Sequence, residues 1–159
     1  MSASANELNR LFTEHQSALH AMIVFHKAER VILSKESEIL RAHQLTPPQF
    51  AVLETLYSRG SLRVCELISK LLATSGNMTV ILRNMERDGL IQKTPDSDDR
   101  RSFRISLTDA GRKKVEAVLP PHIANVASIF SGFTEKELSL LSRLLKKFKH
   151  NEKETEANE

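Results

Sequence analysis

The N-terminal quarter of the chain has a long amphipathic pattern without glycine or proline between Glu7 and about His43. Its apolar and histidine positions recur at three- and four-residue steps, which is the spacing of one face of an α-helix. The pattern predicts one helix of more than about 35 residues, well beyond the usual globular length. Because a compact monomer of 159 residues has little surface to cover such a stripe, we expect a second subunit to cover the remainder. The stripe consists of Leu8, Leu11, Phe12, His15, Leu19, Met22, Ile23 and His26.

Three shorter helical patterns follow, and each has recognisable end signals. Thr46-Pro47-Pro48-Gln49 predicts a capping box at the start of the first, and Gly60 predicts its end. The second pattern spans residues 64–71, and a tight break at residues 73–75 separates it from the third, which ends at 88–89. The third pattern has an apolar inner face made of Met78, Ile81, Leu82 and Met85.

The period of the pattern then changes from helical to alternating. Residues 90–94 and 102–107 predict two short strands, and residues 95–101, polar after the proline, predict a hairpin loop between them. Thr108-Asp109 caps a fifth helix, in which Pro120-Pro121 predicts a kink or a short break. Thr134-Glu135-Lys136-Glu137 predicts another capping box, which opens the last helix.

The order helix, helix, tight turn, helix and two-stranded hairpin predicts a winged helix-turn-helix within a mainly α fold. We expect the winged DNA-binding lobe at residues 46–107 and dimerisation helices at residues 1–45 and 108–150. A polar tail at residues 151–159 completes the chain.

The outer face of the third short helix carries small, hydrogen-bonding or cationic side chains, which suit base edges and phosphates in a major groove. At the hairpin tip, Arg100 and Arg101 suit a minor groove, or else form a surface turn paired with Asp98 and Asp99. Asp96, Asp98 and Asp99 are expected to orient these arginines by ion pairing. Whether Arg87 contacts DNA or is merely solvated stays open. The candidate DNA-binding residues are Ser75, Gly76, Asn77, Thr79, Val80, Arg83, Asn84, Arg100 and Arg101.

Five segments of the chain form a combined pattern: residues 61–67, 75–79, 85–91, 98–102 and 107–111. Together they resemble the MarR family of regulators, and the resemblance extends over roughly residues 7–148. The pairing of an Asp-Arg-Arg wing with Leu-Thr-x-x-Gly is more specific than the helix-turn-helix pattern alone, and Pro120-Pro121 departs from the family pattern. The start of the recognition helix is also similar to that of MhqR-like regulators, which sense quinones and phenols.

The resemblance implies a homodimer whose first, fifth and sixth helices interlock. Its two winged lobes bind double-stranded DNA at a pseudo-palindromic operator with half-sites about 10 base pairs apart. It also implies a small, often aromatic or anionic effector that changes the spacing of the lobes and releases a repressor from DNA. His26, Phe50 and Tyr57 are candidates for lining the effector pocket, although core packing explains Phe50 and Tyr57 equally well.

Composition narrows the other possibilities. The formal net charge of +3 suits a polyanionic partner without proving one. We expect a cytoplasmic protein with no membrane segment, because there is neither an 18-residue apolar run nor a secretory signal. No phosphate loop, catalytic triad order or metal-ligand cluster is visible, so we expect no enzyme, no cofactor and no metal. His15, His20 and His26 are spaced too widely to share one ion.

Two alternatives to an effector-released repressor stay open. Cys65 is the only cysteine, which excludes an intramolecular disulfide, but a thiol near a helix N-terminus can act as a redox sensor. A half-buried structural role explains Cys65 as well. The other alternative is a winged helix that binds only protein, although such domains often lose the basic residues that are kept here at Arg83, Arg100 and Arg101.

Overall fold

The predicted N-terminal helix is in fact two helices. The computed structural model of the protein describes residues 4–71, 74–96 and 102–148, and in it α1 spans Ala5–Glu14 and α2 spans Gln16–Ala42. His15 separates them with φ −107° and ψ 16°. The prediction of one uninterrupted helix is therefore wrong at this residue. Just before it, the Thr13 hydroxyl donates to the Asn9 carbonyl oxygen at 2.9 Å, a bond of the type that bends helices.

Helices α3 (Pro47–Arg59), α4 (Val64–Leu71) and α5 (Ser75–Arg87) form the helix-turn-helix lobe. The predicted capping box of α3 is confirmed: the Thr46 amide donates to Gln49 Oε1 at 2.9 Å, and Thr46 Oγ1 accepts from the Gln49 amide at 3.4 Å. Gly60 ends α3 with a φ of +75°, a conformation that favours glycine. The lobe's core is apolar and consists of Leu40, Leu45, Phe50, Val52, Leu53, Leu56, Leu62, Leu67, Met78, Ile81, Leu82, Met85, Ile91, Ile105, Val115 and Val118.

A three-stranded antiparallel sheet lies beside these helices. Strands β2 (Ile91–Pro95) and β3 (Phe103–Leu107) are the predicted hairpin. The third strand, β1 (Leu62–Arg63), pairs with the other side of β3 and was not predicted. A strand of two residues is too short to show the period-two alternation by which strands are recognised in a sequence. The strand order is β1-β3-β2. Because β1 directly precedes α4 in the chain, its pairing with β3 attaches the hairpin to the start of α4.

Helix α6 (Asp109–Ile129) begins directly after β3, and Thr108 makes the junction. The Thr108 hydroxyl donates to the Gly89 carbonyl oxygen at 2.6 Å and accepts from the Gly111 amide at 3.0 Å. The Thr108 amide donates to the Leu90 carbonyl oxygen at 3.2 Å. A Cβ atom built on Gly111 would lie 1.9 Å from the same Leu90 oxygen. The Leu-Thr-x-x-Gly pattern is thus a packing motif that fixes α6 to the turn after α5.

Helix α6 continues through Pro120-Pro121, so the expected short break is wrong, while the alternative of a kink stays a prediction. The two prolines lack the amides that would bond the carbonyls of Glu116 and Ala117. Both of those residues are exposed, so water can satisfy their carbonyls. Among the described residues, no helix is long and apolar enough to cross a membrane.

The chain divides into two compact units, Met1–Asn125 and Val126–Glu159, with the boundary inside α6. The first unit contains the winged lobe. The second contains α7 (Glu135–Leu145), whose predicted capping box is confirmed: Glu137 Oε2 accepts from the amide and the hydroxyl of Thr134, each at 2.8 Å. The predicted division into dimerisation helices and DNA-binding lobe stays a prediction.

Candidate DNA-binding surface

Helix α5 has one buried face and one exposed face. The predicted inner residues Met78, Ile81, Leu82 and Met85 are all buried. At 100° per residue, the positions directly opposite this face are 76, 80, 83 and 87, and all four are exposed. We call this stripe of Gly76, Val80, Arg83 and Arg87 the outer stripe of α5.

The DNA-binding candidates on α5 lie on or beside the outer stripe. Ser75, Gly76, Asn77, Thr79, Val80 and Arg83 are exposed, and Asn84 is half-buried. Thr74 caps the helix, because its Oγ1 accepts from the Asn77 amide at 3.4 Å. The requirement that these residues face solvent is therefore met. Their contact with DNA stays a prediction.

The two arginines of the outer stripe differ in their partners. Arg87 Nε donates to Asp88 Oδ1 at 3.0 Å. Arg83 forms no hydrogen bond or ion pair with any other described residue, so its guanidinium is available to a ligand. The charge of Arg87 is partly compensated by Asp88, whereas no residue in the described part of the chain compensates that of Arg83.

A buried carboxylate fixes the base of the wing. Asp96 follows β2 and has only 2% of its surface exposed. Arg63 of β1 holds it with two bonds, from Nε to Oδ2 at 2.8 Å and from Nη2 to Oδ1 at 3.0 Å. Arg104 of β3 donates to the same Oδ2 at 3.3 Å. A bidentate arginine-carboxylate pair is short, directional and strong, so the three strands are fastened together by charge as well as by their backbones.

The same arginines extend this network towards the helix-turn-helix. Arg104 Nη2 donates to the Ser61 carbonyl oxygen at 2.7 Å, and its Nε donates to Ser61 Oγ at 3.2 Å. The Arg63 amide donates to Glu66 Oε2 at 2.7 Å in the first turn of α4. We refer to Ser61, Arg63, Glu66, Asp96 and Arg104 as the wing-base network.

The sequence did not single out Arg63 and Arg104, and Asp96 has partners other than those expected for it. Their pairings bridge 33 residues for Arg63 and 8 for Arg104, and no local pattern marks them. Asp96 was expected to orient the tip arginines; the structure shows its carboxylate bonded to Arg63 and Arg104, and its relation to the tip arginines stays a prediction. Asp98, Asp99, Arg100 and Arg101 lie outside the described residues, so the expectations for the wing tip stay predictions.

The residues proposed for an effector or a redox role lie in different surroundings. His26 is exposed on α2, with Nδ1 3.5 Å from Glu29 Oε2. Phe50 is buried in the core, and its ring centroid is 4.6 Å from that of His122. Tyr57 is 37% exposed, with the Arg112 guanidinium 5.5 Å from its ring centroid. These contacts do not bring His26, Phe50 and Tyr57 together, and their part in a pocket stays a prediction.

Cys65 is exposed in the first turn of α4. The half-buried position that a purely structural role would favour is therefore not what the structure shows. Exposure makes the thiol accessible, but accessibility alone does not make it a sensor.

The three-helix lobe, the hairpin anchored beside it and the exposed face of α5 define a winged helix-turn-helix protein. Comparison with known proteins narrows this class. The family model described as "MarR family" matches residues 45–103. The transcriptional regulator YkoM of Bacillus subtilis is 34% identical over 134 residues, which are 84% of this chain and 87% of the relative. The transcriptional repressor MdtR of the same organism is 32% identical over 130 residues, 82% of this chain and 80% of the relative.

Solved structures agree with the curated relatives. The MepR-DNA complex of S. aureus has a TM-score of 0.74 and 26% identity, over 82% of this chain and 96% of that one. BpsR of Bordetella bronchiseptica, whose DNA binding is described as regulated by 6-hydroxynicotinic acid, has a TM-score of 0.74 and 22% identity, over 82% and 98%. This chain belongs to the MarR family. Both curated relatives are helix-turn-helix transcriptional regulators and not enzymes, and the chain is a regulator of the same type.

Proposed function

We propose that this protein is a homodimeric repressor that binds a pseudo-palindromic operator in the cytoplasm and is released by a small effector. The observation that carries the proposal is the outer stripe of α5, in which Arg83 is exposed and has no ion-pair partner among residues 4–71, 74–96 and 102–148. A major groove admits one helix, and arginine is the commonest reader of guanine there. MepR, a structural neighbour, has been crystallised with DNA, which supports the same use of the fold here.

The dimer proposal rests on apolar side chains that remain in solvent on the N- and C-terminal helices. No residue of α1 is buried, and four consecutive residues of α2, Met22–Phe25, are each 45–52% exposed. An apolar surface of this extent is typical of a protein interface. The large apolar side chains exposed on α1, α2 and α7 are Leu8, Leu11, Phe12, Met22, Ile23, Val24, Phe25, Val31, Leu33, Leu140, Leu144 and Leu145.

Repression and release by an effector are the finer parts of the proposal. MdtR is named a repressor, and the DNA binding of BpsR is described as regulated by 6-hydroxynicotinic acid; both support this reading. The effector class, the lining role of His26, Phe50 and Tyr57, and the narrower similarity to MhqR-like regulators stay predictions.

Selection of bound duplexes from a random library, followed by fluorescence anisotropy at several salt concentrations, tests the proposal. We expect an inverted repeat with half-sites about 10 base pairs apart and a steep loss of affinity with salt. Light scattering is expected to give a dimer. Binding without sequence preference would identify an architectural DNA protein instead, and no duplex binding at all would favour a winged helix that binds protein.

Arginine variants locate the binding surface. Arg83→Ala and the double variant Arg100→Ala, Arg101→Ala are expected to lower operator affinity at least about tenfold, because a hydrogen bond to a charged group contributes roughly 1.5–3 kcal/mol. Arg59→Ala is the matched control, since Arg59 is an exposed arginine at the end of α3, outside the outer stripe and the helices of the proposed dimer interface. Equal binding by all of these variants would contradict the proposed surface.

A further inference from the structure

Val80 is the unusual member of the outer stripe of α5. It is an apolar residue that is 46% exposed, on a helix whose buried apolar residues are Met78, Ile81, Leu82 and Met85. Val80 is four residues after Gly76 and three before Arg83, so all three positions face the same side, opposite Met78 and Met85. An apolar side chain therefore lies at the centre of the surface that we propose enters the groove.

The neighbouring polar group is already bonded within the helix. The Thr79 hydroxyl donates to the Ser75 carbonyl oxygen at 2.9 Å, so its proton is not available to a base. Arg83 is the cationic side chain next to Val80, and it has no hydrogen-bond or ion-pair partner among the described residues. The centre of the stripe thus presents an apolar group beside a guanidinium.

Each of these two groups has a chemical match in the major groove. The C5-methyl of thymine is the apolar group exposed there, and the O6 and N7 acceptors of guanine are the usual match for arginine. Side chains at i and i+3 are about 5–6 Å apart between Cβ atoms, and base pairs rise about 3.4 Å along each strand. The two side chains therefore reach base pairs that are adjacent or one apart.

We propose that Val80 reads a thymine methyl group and Arg83 reads a guanine within about two base pairs of it, once in each half-site. This inference rests on the proposed DNA-binding function and adds the base chemistry of the operator. It assigns the two contacts to different side chains, so each can be removed separately from the protein or from the DNA.

Single-atom changes in the selected duplex provide the test. Each thymine is replaced in turn by deoxyuridine, which lacks only the C5-methyl group, and each guanine by 7-deazaguanine, which lacks the N7 acceptor. For the unmodified protein we expect one thymine per half-site at which deoxyuridine weakens binding about fourfold, the effect of one buried methyl group. A guanine within two base pairs of it is expected to show a loss of about tenfold with 7-deazaguanine.

Two variants of the intact chain serve as controls for each other. Val80→Ala is expected to bind the thymine and deoxyuridine duplexes equally at that position, while it keeps the 7-deazaguanine effect. Arg83→Ala is expected to show the reverse. Alanine favours a helix more than valine does, so Val80→Ala retains α5, and circular dichroism verifies this.

The inference is overturned if deoxyuridine has no effect at any thymine, or if Val80→Ala shows the same deoxyuridine loss as the unmodified protein. It is also overturned if the sensitive thymine and guanine are far apart. Failure to bind any duplex would instead overturn the proposed function, so the two failures are distinguishable.

Discussion

Replacing Gly111 by alanine is expected to loosen the junction between the wing and α6. The added Cβ would lie 1.9 Å from the Leu90 carbonyl oxygen, 2.9 Å from its carbon and 3.4 Å from Leu107 Cδ2. Carbon and oxygen normally meet no closer than about 3.3 Å, so the oxygen and the helix have to separate by about 1.4 Å. That oxygen belongs to the backbone and accepts from the Thr108 amide, so it cannot move away without weakening this hydrogen bond.

The magnitude follows from three terms. Overpacking at a site without a flexible neighbour costs about 1–3 kcal/mol, and weakening the Thr108 hydrogen bond costs about 1 kcal/mol more. Alanine returns roughly 1 kcal/mol through its helix propensity. The expected net destabilisation of Gly111→Ala is about 2 kcal/mol, which lowers the midpoint of thermal unfolding by roughly 4–8 °C for a chain of this size.

Thermal unfolding followed by circular dichroism measures this loss, at one fixed protein concentration because a dimer's midpoint depends on concentration. Gly132→Ala is the matched control, because a Cβ there meets no atom within 4 Å. We expect its midpoint to stay close to that of the unmodified protein. If Gly111→Ala unfolds at the same temperature as Gly132→Ala, the close approach between α6 and the Leu90 carbonyl does not exist.

Three further outcomes follow from the contacts described above. Asp96→Asn is expected to lower the free energy of unfolding by about 2 kcal/mol, less than for a fully buried pair because both arginine partners are about one-third exposed. Urea unfolding measures this loss, and Asp88→Asn, which removes an exposed ion pair, is the control that we expect to change the free energy of unfolding little. Equal losses in the two variants would refute this reasoning. The hydrogen bond from the Thr134 amide, and to a smaller extent that from its hydroxyl, lowers the pKa of Glu137. The stability that the carboxylate gives α7 is therefore complete above the pH at which free glutamate titrates, and it is lost as the pH falls through the lowered pKa. NMR titration is expected to show this lowered pKa and its partial return in Thr134→Ala; titration of Glu137 at the usual glutamate value in the unmodified protein would exclude the bond. Cys65→Ser is expected to bind operator and respond to oxidant as the unmodified protein does, whereas oxidant-triggered release that disappears in this variant would support the redox alternative.

Local signals predicted most of the lobe correctly. The capping boxes at Thr46 and Thr134 depend on residues three positions apart, which a sequence shows directly. The inner face of α5 follows from helical periodicity, and all four residues assigned to it are buried. The exposed face, with its DNA-binding candidates, is the geometric complement of that assignment.

The errors have non-local or very short causes. The interruption at His15 occurs without glycine or proline, so no standard end signal marked it. Strand β1 forms because β3 offers an unpaired edge, which depends on tertiary structure and not on the two residues themselves. Arg63 and Arg104 were missed as partners of Asp96 for the same reason, since Arg63 precedes Asp96 by 33 positions in the sequence and only the tertiary fold brings the two together.

The wing-base network constrains how an effector can act on this regulator. Arg63 belongs to the strand that leads into α4, and Arg104 to the strand that leads into the wing, yet both hold one carboxylate. A rotation of the wing alone would separate the buried Asp96 carboxylate from Arg63 and Arg104, whereas a tilt of the whole lobe keeps these hydrogen bonds intact. The effector release that we propose would therefore require a change in the orientation of the intact lobe, and an effector that left this orientation unchanged would leave the operator bound.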